Sequence, residues 1–375
     1  MKIAFLFKRD SHFKAVKSTA LRVCAQYKCE ATFIGIDAEA LCSHESCSII
    51  YIYENDLSIL SRYDYVIACL GGYLLNRTIA ILKDTDTKVI SIFPGIVSHY
   101  QLDAFISRLN ADQVWLNSRV DFDLYSIICQ LYKRKNNGLL YGMSWIDNCL
   151  LSNTKKIVKN PYKAVFFEQT EILSNNNKRD RFLLRINEII NMNPDVFFKY
   201  KIRNNVEDLF FTEIRKNLNC LPNVDVVNTL SEKDILESLY YLSISSSALI
   251  EGFLLGKNSY IIDWNLLDND SKEFFKYSEI ALSSNKLSDE KFSINNNWLL
   301  KRVTVPVKAI DLKSIDKINV TDCSITQYRS HNYIRFTLLK LGLKYRFAFN
   351  LVFKREVVCS IQKALEYLEM NNERK

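Results

Sequence analysis

The sequence predicts an α/β protein with two doubly wound domains that face a cleft, followed by a basic helical segment. Short, strongly apolar segments alternate with amphipathic helical segments along the first part of the chain. The alternation weakens between residues 136 and 161, where polar and turn-forming residues dominate, and then resumes. Apolar strands separated by helices are typical of parallel sheets covered on both faces. The predicted domains are residues 1–155 and 156–310, and the C-terminal segment is 311–375.

Each element follows from its hydrophobic period, beginning with a buried strand at KIAFLF and a helix at SHFKAVKSTALRVCAQY. Further strands of the first half are predicted at ATFIGI, CSIIYIY, YDYVIACL, VISIFPG and ADQVWLNS. The helices between them are LLNRTIAILKD, LDAFISRL and DFDLYSIICQLYKR. The second half has strands at KAVFFEQ, DVFFKYKI, NVDVVN, YYLSIS and NSYIID, separated by helices. Because ligands bind beyond the carboxyl ends of such strands, we expect the site in the cleft between the halves.

The composition describes a globular chain with room for two cores, since 48% of its 375 residues are hydrophobic and 25% are charged. The apolar residues 1–7 are followed at once by Lys8, Arg9 and Asp10, without a small-residue cleavage site. No apolar run is long enough to cross a bilayer. We therefore expect a cytoplasmic protein.

The ten cysteines lack the paired spacing of a disulfide framework, so a reducing compartment is expected to keep them as thiols. Cys24, Cys29, Cys42, Cys47 and His44 form the one conceivable zinc set. The first two are too widely spaced for a metal knuckle, and they fall on a predicted helix and the strand after it. No DXD-like cluster ends a strand either, since the acidic pair of DFD (Asp121, Asp123) suits a helix start. We expect neither a metal nor a cofactor.

Three consecutive serines, Ser245, Ser246 and Ser247, separate the strand YYLSIS from the helix ALIEGFLLG. The first turn of a helix has unpaired N–H groups and a partial positive charge, which favour a phosphate. Glu251 in the same helix is placed to accept hydrogen bonds from ribose hydroxyls. The alternative is a plain serine cap with a solvated glutamate. A carboxylate inside an apolar run favours the phosphate site.

From KAVFFEQTE to NSYIID, the order of elements resembles the donor-binding, Rossmann-like domain of GT-B glycosyltransferases. It is most similar to bacterial capsule and lipopolysaccharide enzymes, including sialyltransferases, polysialyltransferases and capsule Kdo transferases. The resemblance covers roughly residues 1 to 265 and includes RDSHFKA, GGYLLNR and FPGIVS, which resemble uncharacterised bacterial glycosyltransferases. The capsule and lipopolysaccharide enzymes commonly hold the nucleotide phosphate with a Ser-Ser pair, which Ser245 and Ser246, or Ser246 and Ser247, match.

One departure from the sialyltransferase pattern concerns the second strand of the donor domain. A His-Pro motif is usual there, whereas this chain has KYKIRNN. Lys199, Lys201 and Arg203 are candidates to contact the phosphate or a sugar carboxylate instead. Recognition of CMP is therefore an open question at this stage.

Inverting transfer implies a base that removes the proton of the acceptor hydroxyl, and this base is expected on the acceptor domain. Asp10, directly after the first strand, is the first candidate and His12 is the second; the alternative for Asp10 is a helix cap. Gly71 and Gly72 permit a close backbone approach or simply a turn. The remaining candidates in the cleft are Asn76, Arg77, Glu168 and Gln169, the last two also being plausible as solvated loop residues.

A basic segment runs from Arg329 to Arg355 without an acidic residue, and leucines and aromatic residues fill the gaps. Such a sequence suits an anionic membrane surface, where a lipid-linked glycan acceptor would lie. Nucleic acid is the competing partner for a chain of net charge +8, but no recognition module is present. A helix that packs back on the first domain is the third alternative.

These observations favour a cytoplasmic, membrane-peripheral glycosyltransferase that needs no metal and modifies a surface polysaccharide or lipopolysaccharide. The expected donor is a CMP-nonulosonic acid such as CMP-sialic acid. A UDP-sugar or another NDP-sugar is the alternative within the class. A non-catalytic nucleotide-binding assembly partner is the alternative from another class.

Overall fold

A computed structural model of the chain describes residues 1–37, 48–97, 101–132, 134–146, 160–170, 172–173, 175–203, 208–307 and 309–318. The chain divides into two compact units. Among the described residues, those within 1–146 and 300–318 form the first unit, and those within 160–299 form the second. Each unit contains one parallel sheet with helices, so the predicted α/β fold class is confirmed. The predicted basic segment from Arg329 to Arg355 lies outside the described residues.

The first unit is built on seven parallel strands in the order β3-β2-β1-β4-β5-β6-β7. The strands are β1 (Ile3–Phe7), β2 (Ala31–Ile36), β3 (Ile49–Ile52), β4 (Tyr65–Ala68), β5 (Lys88–Ser91), β6 (Gln113–Leu116) and β7 (Gly138–Leu140). The helices are α1 (Asp10–Tyr27), α2 (Gly72–Leu82), α3 (Leu102–Ile106) and α4 (Arg119–Leu131), with a 3₁₀ helix at Glu54–Arg62. All five residues of β1 are buried, because β2 and β4 flank this strand and helices cover its faces.

The second unit has five parallel strands in the order β10-β9-β8-β11-β12. The strands are β8 (Asn160–Phe167), β9 (Phe197–Lys201), β10 (Val224–Val227), β11 (Ser238–Ser243) and β12 (Asn258–Ile261). The helices are α5 (Asn176–Met192), α6 (Leu209–Leu218), α7 (Glu232–Glu237), α8 (Ala248–Leu254), α9 (Asn269–Phe275) and α10 (Asn296–Arg302, which runs across the division between the units). Two further 3₁₀ turns lie at Trp264–Leu266 and Leu287–Asp289.

After α10 the chain runs along the first unit. The Val307 N–H donates to the Tyr141 carbonyl at 2.8 Å. The Ile310 carbonyl accepts from the Gln26 side chain and from the Tyr27 hydroxyl, each at 2.6 Å. These bonds attach the returning chain to the end of α1 and to the segment after β7.

The apolar pattern does not predict β7, which lies inside the polar, turn-rich stretch that begins at residue 136. This strand has only three residues, each half-buried, and it pairs with β6 at the edge of the sheet. Its place is fixed by a side chain distant in sequence, because the Tyr125 hydroxyl donates to Asn137 Oδ1 at 2.7 Å.

Candidate functional site

The second sheet reverses its strand order between β8 and β11, and several predicted donor residues lie at that point. The chain adds β9 and β10 on one side of β8, then returns to add β11 and β12 on the other. In open parallel sheets, ligands bind outside the carboxyl ends of the strands at such a switch point. Residues 168–170 follow β8, and residues 244–247 follow β11. The Ser243 hydroxyl joins the two strand ends by donating to the Phe167 carbonyl at 2.8 Å.

The three serines at this point, Ser245 to Ser247, are all half-buried. Of their hydroxyls, only that of Ser246 takes part in a hydrogen bond with a described residue. Ser246 Oγ accepts from the Ala248 N–H at 3.2 Å, close to the start of α8. The hydroxyls of Ser245 and Ser247 form no hydrogen bond with any described residue. Two hydroxyls are therefore available to a ligand where the helix begins.

Glu251 is buried, with 8% of its surface exposed, and its charge acts on a neighbouring ring. Burial, followed by the negative charge of Glu251, raises the pKa of Tyr241 well above its usual value. The next residue, Gly252, brings α8 directly onto the sheet, since a Cβ there would lie 2.2 Å from Ser259 Oγ and 2.7 Å from the Tyr241 ring. This close packing fixes the helix, and with it the serine loop, against β11 and β12.

Glu168, which follows β8, is the buried centre of a polar network. Its side chain has no exposed surface, and its carboxylate accepts four hydrogen bonds. Oε1 accepts from the Tyr200 hydroxyl at 3.1 Å and from Arg215 Nε at 3.0 Å. Oε2 accepts from the Arg203 N–H at 2.8 Å and from Arg215 Nη2 at 2.6 Å. A carboxylate has about four lone-pair sites, so Glu168 braces the ends of β8 and β9 and leaves no acceptor for a ligand.

The other predicted donor residues occupy different environments. Lys199 lies within β9 and is paired with Asp225 on β10 at 2.6 Å. Lys201 ends β9, and its Nζ donates to the Ile202 carbonyl at 2.6 Å. Arg203 is exposed beyond the strand, while Gln169 is half-buried and its side chain has no hydrogen bond to a described residue. Lys201, Arg203 and Gln169 are therefore at the carboxyl edge with the serines, whereas Lys199 is set back along the strand.

The first sheet has its own switch point between β1 and β4, and the predicted acceptor-side residues lie there. Asp10 is exposed and is the first residue of α1, while Arg9 occupies the N-cap position. Asp10 is thus one position past the cap that the sequence offered as its alternative role. His12 is half-buried, and its Nδ1 atom is buried without a hydrogen-bond partner among the described residues.

Gly71 and Gly72 emerge from β4 beside this point and are both exposed. Gly72 has a φ of +55°, a left-handed conformation that favours glycine, and its carbonyl accepts from Asn76 Nδ2 at 2.8 Å. Arg77 instead faces the 3₁₀ helix, where Nη1 pairs with Glu54 at 2.6 Å and Nη2 donates to Asn55 at 2.9 Å. The ion pair gives Arg77 a structural role in this conformation.

Arg108 stabilises the chain segments after β4 and β5 at the first switch point. The sequence pattern does not predict this role. Only 4% of Arg108 is exposed, although an arginine is rarely so buried. Nη2 donates to the carbonyls of Leu70 at 2.8 Å and Ile92 at 3.5 Å, after β4 and β5, and Nη1 donates to the Ala104 carbonyl. Its guanidinium carbon lies 3.9 Å from the centre of the Phe93 ring. In the sequence, Arg108 is a single arginine within the apolar segment LDAFISRL, and this pattern does not indicate which residues the guanidinium contacts.

His12 gives the first unit a pH-dependent stability. Burial, followed by the positive charges of Arg9, Arg108 and Lys8, lowers the pKa of His12 from 6.5 to about 4. The unfolded chain therefore binds a proton between these values that the folded chain does not, so stability is complete above pH 6.5 and falls as the pH approaches 4. Between pH 7 and pH 4.5 we expect a loss of about 2 kcal/mol from this residue.

Urea unfolding at the two pH values, compared between the wild type and His12→Gln, measures this contribution. The variant lacks the titrating group, so its stability should fall less on acidification. Equal falls in both proteins would contradict the lowered pKa.

Within the described residues, no group of three or more His, Cys, Asp or Glu side chains is arranged to hold a metal ion. Cys42, Cys47 and His44 lie outside the described part of the chain. Asp121 is in the first turn of α4, where its N–H donates to Ser118 Oγ at 3.2 Å, as a helix start requires. Among the described helices, none is both long and apolar enough to cross a membrane.

No protein-family model and no curated protein sequence matches the chain. Solved structures do match. The MnaA–UDP complex of S. aureus has a TM-score of 0.56 at 9% identity, covering 77% of this chain and 85% of that one. The UDP-GlcNAc 2-epimerase of Methanocaldococcus jannaschii with UDP-GlcNAc and UDP has a TM-score of 0.54 at 10% identity, covering 79% and 95%. The Neisseria meningitidis UDP-GlcNAc 2-epimerase bound to UDP-GlcNAc has a TM-score of 0.53 at 13% identity, covering 77% and 88%.

The chain has a GT-B fold. Two parallel α/β units in one chain, each with a switch point, agree with this fold. At 9–13% identity the likeness establishes the fold alone. The GT-B resemblance read from the sequence is thus confirmed, whereas the sialyltransferase-like specificity stays a prediction.

Proposed function

We propose that this GT-B chain is a nucleotide-sugar-dependent glycosyltransferase that binds its donor at the switch point of the second unit. The observation that carries the proposal is the pair of half-buried hydroxyls of Ser245 and Ser247, which the fold leaves without hydrogen bonds among the described residues. Serine hydroxyls can donate hydrogen bonds to the oxygens of a phosphate. Lys201 and Arg203 supply positive charge at the same edge of the sheet. The phosphate of the leaving nucleotide is thereby stabilised without a metal ion.

The proposal assigns activation of the acceptor hydroxyl to the first unit. Asp10 is exposed at the switch point there and takes the proton as the hydroxyl oxygen attacks the anomeric carbon. The lowered pKa of His12 keeps its imidazole neutral at pH 7. Asp10 ranks ahead of His12 because Asp10 is exposed at the switch point, whereas the Nδ1 atom of His12 is buried. Gly71 and Gly72 leave the neighbouring strand end open to a sugar ring.

The comparisons favour a UDP-sugar over a CMP-nonulosonic acid as the donor. The similar structures were solved with UDP or UDP-GlcNAc, and the His-Pro motif usual in bacterial sialyltransferases is missing from this chain. An acceptor of surface-polysaccharide or lipopolysaccharide type, at the cytoplasmic face of the membrane, follows from the sequence resemblance and the basic segment after residue 328.

A second candidate is epimerisation of a UDP-sugar, because two of the similar structures with TM-scores above 0.5 are UDP-GlcNAc 2-epimerases. The two activities differ in what happens when no acceptor is present. An epimerase converts the free UDP-sugar into its epimer, whereas a transferase releases UDP slowly to water and rapidly when an acceptor is added.

The test is to incubate the full chain with UDP-GlcNAc, UDP-glucose or CMP-N-acetylneuraminic acid, with and without a mixed glycan fraction, and to follow each nucleotide sugar by NMR. We expect release of UDP from one UDP-sugar, faster with the glycan fraction, and loss of that release in Asp10→Asn. Appearance of an epimer without net UDP release would favour the second candidate. Binding without any turnover would favour a non-catalytic assembly role, and absence of binding would remove the proposal.

A further inference from the structure

Two cysteine thiols lie side by side at the C-terminal end of α1, away from the carboxyl edge of the sheet. Cys24 belongs to the end of the helix, and Cys29 lies just before β2. Their sulfur atoms are 3.6 Å apart, and a hydrogen bond joins the two thiols. Both residues are free cysteines and both are partly exposed, so a small molecule in solution can reach them.

The helix end itself holds the two residues together. Lys28 adopts the left-handed conformation, with φ 50° and ψ 47°, and turns the chain back on the last turn of α1. The Cys29 N–H then donates to the Cys24 carbonyl at 3.3 Å. A disulfide needs an S–S distance of about 2.05 Å, so the two sulfurs have to approach by about 1.5 Å. Rotation of two partly exposed side chains can supply this movement while the backbone bond stays in place.

We propose that Cys24 and Cys29 form a redox-modification site, which a diffusible disulfide of the glutathione type converts to an intramolecular disulfide. The Cys29 thiolate attacks one sulfur of the oxidant, the S–S bond of the oxidant breaks, and one glutathione leaves. Cys24 loses its proton and attacks the Cys29 sulfur of the mixed disulfide, which expels the second glutathione. Two protein thiols are oxidised, the glutathione disulfide is reduced to two thiols, and the two released protons end on those thiols.

The order of attack follows from the surroundings of the two thiols. Burial, followed by the hydrogen bond with Cys29, raises the pKa of Cys24, so Cys24 is rarely a thiolate before the first step. Cys29 therefore reacts first, and Cys24 acts as the resolving thiol from its adjacent position.

The position of the first glutamate in the chain allows a direct test on the unmodified full-length protein. The first glutamate is Glu30, so cleavage after glutamate releases residues 1–30, which contain Cys24 and Cys29 and no other cysteine. The folded protein is treated with oxidised glutathione, denatured in excess iodoacetamide, cleaved without reduction and analysed by mass spectrometry. The exposed Cys220 reports in the same sample whether the oxidant reached accessible thiols.

We expect peptide 1–30 to become lighter by two hydrogen atoms and to take up no iodoacetamide, and dithiothreitol should reverse both changes. In Cys24→Ser we expect Cys29 to retain one glutathione, because the resolving thiol is missing. The matched variant Cys29→Ser should leave Cys24 largely alkylated. Peptide 1–30 carrying two alkyl groups, or two glutathiones, while Cys220 is modified would overturn the proposal.

Discussion

Glu168→Gln should lower the free energy of unfolding of the chain by about 3 kcal/mol, because it removes the charge of a fully buried carboxylate that is paired with the part-buried Arg215. Each carboxylate oxygen of Glu168 accepts two hydrogen bonds. The glutamine amide keeps one oxygen and replaces the other with an NH₂ donor. Whichever way the amide is turned, its NH₂ group faces one N–H group of Arg215, so Arg215 loses one of its two hydrogen bonds together with its negatively charged partner. The other group that faces the NH₂ is either the Arg203 N–H, which also loses its acceptor, or the Tyr200 hydroxyl, which can rotate to accept. Urea unfolding measures the loss.

The matched control is Glu188→Gln in the same unit. Glu188 is 42% exposed, lies 3.9 Å from Arg185 and accepts one bond from Asn285. An exposed pair of this kind contributes about 0–1 kcal/mol, so the control should unfold close to the wild type. Equal losses in the two variants would show that the buried network around Glu168 does not brace the ends of β8 and β9.

Arg108→Met should destabilise the first unit by at least about 4 kcal/mol. The change removes the donor to the Leu70 and Ile92 carbonyls, which lie in the buried loop ends after β4 and β5. Buried carbonyls without a partner cost about 1–3 kcal/mol each. The cation–π contact with Phe93, at 3.9 Å, contributes about 2 kcal/mol more when it is desolvated as here. Methionine fills much of the volume that the Arg108 side chain occupies, so the loss of its hydrogen bonds and of the Phe93 contact accounts for most of the destabilisation.

Arg119→Met is the control for this variant, since Arg119 is 59% exposed and pairs with Asp123 one helical turn away. We expect it to change the free energy of unfolding by less than about 1 kcal/mol. The pKa of His12 provides a second measurement, because one of the positive charges that lower it disappears in Arg108→Met. NMR titration of the His12 ring should give a higher pKa in Arg108→Met and an unchanged pKa in Arg119→Met.

The local sequence pattern was sufficient to predict the fold and the position of the serine loop, residues 245–247. The buried strand IAFLF and the strand that ends at Ser243 are short apolar runs bounded by polar or turn residues, so their type follows from period and length. Parallel strands then place the residues after β8 and β11 at one edge, which brings Ser245 and Gln169 to the same end of the sheet without any knowledge of their side chains.

The role of Glu168 could not be predicted in this way, because its partner Arg215 is 47 residues away and meets it only when α6 packs against the sheet. Arg108 is similar, since Leu70 lies 38 residues earlier. The local sequence pattern predicts the type of an element and its buried face. It does not predict which side chains distant in sequence will contact each other. The pairing of Cys24 with Cys29 also depends on the left-handed Lys28, a residue type that rarely adopts this conformation.

Calorimetric titration of UDP into the wild type and into Ser245→Ala/Ser247→Ala tests the central claim most directly, with Ser283→Ala/Ser288→Ala as the control. The control serines are exposed and lie in the same unit. Loss of hydrogen bonds to a charged phosphate should cost about 2 kcal/mol or more, which is roughly a 30-fold rise in Kd. The account predicts that rise for the first variant and an unchanged Kd for the control. Equal Kd values in all three proteins would show that the phosphate does not bind between β11 and α8.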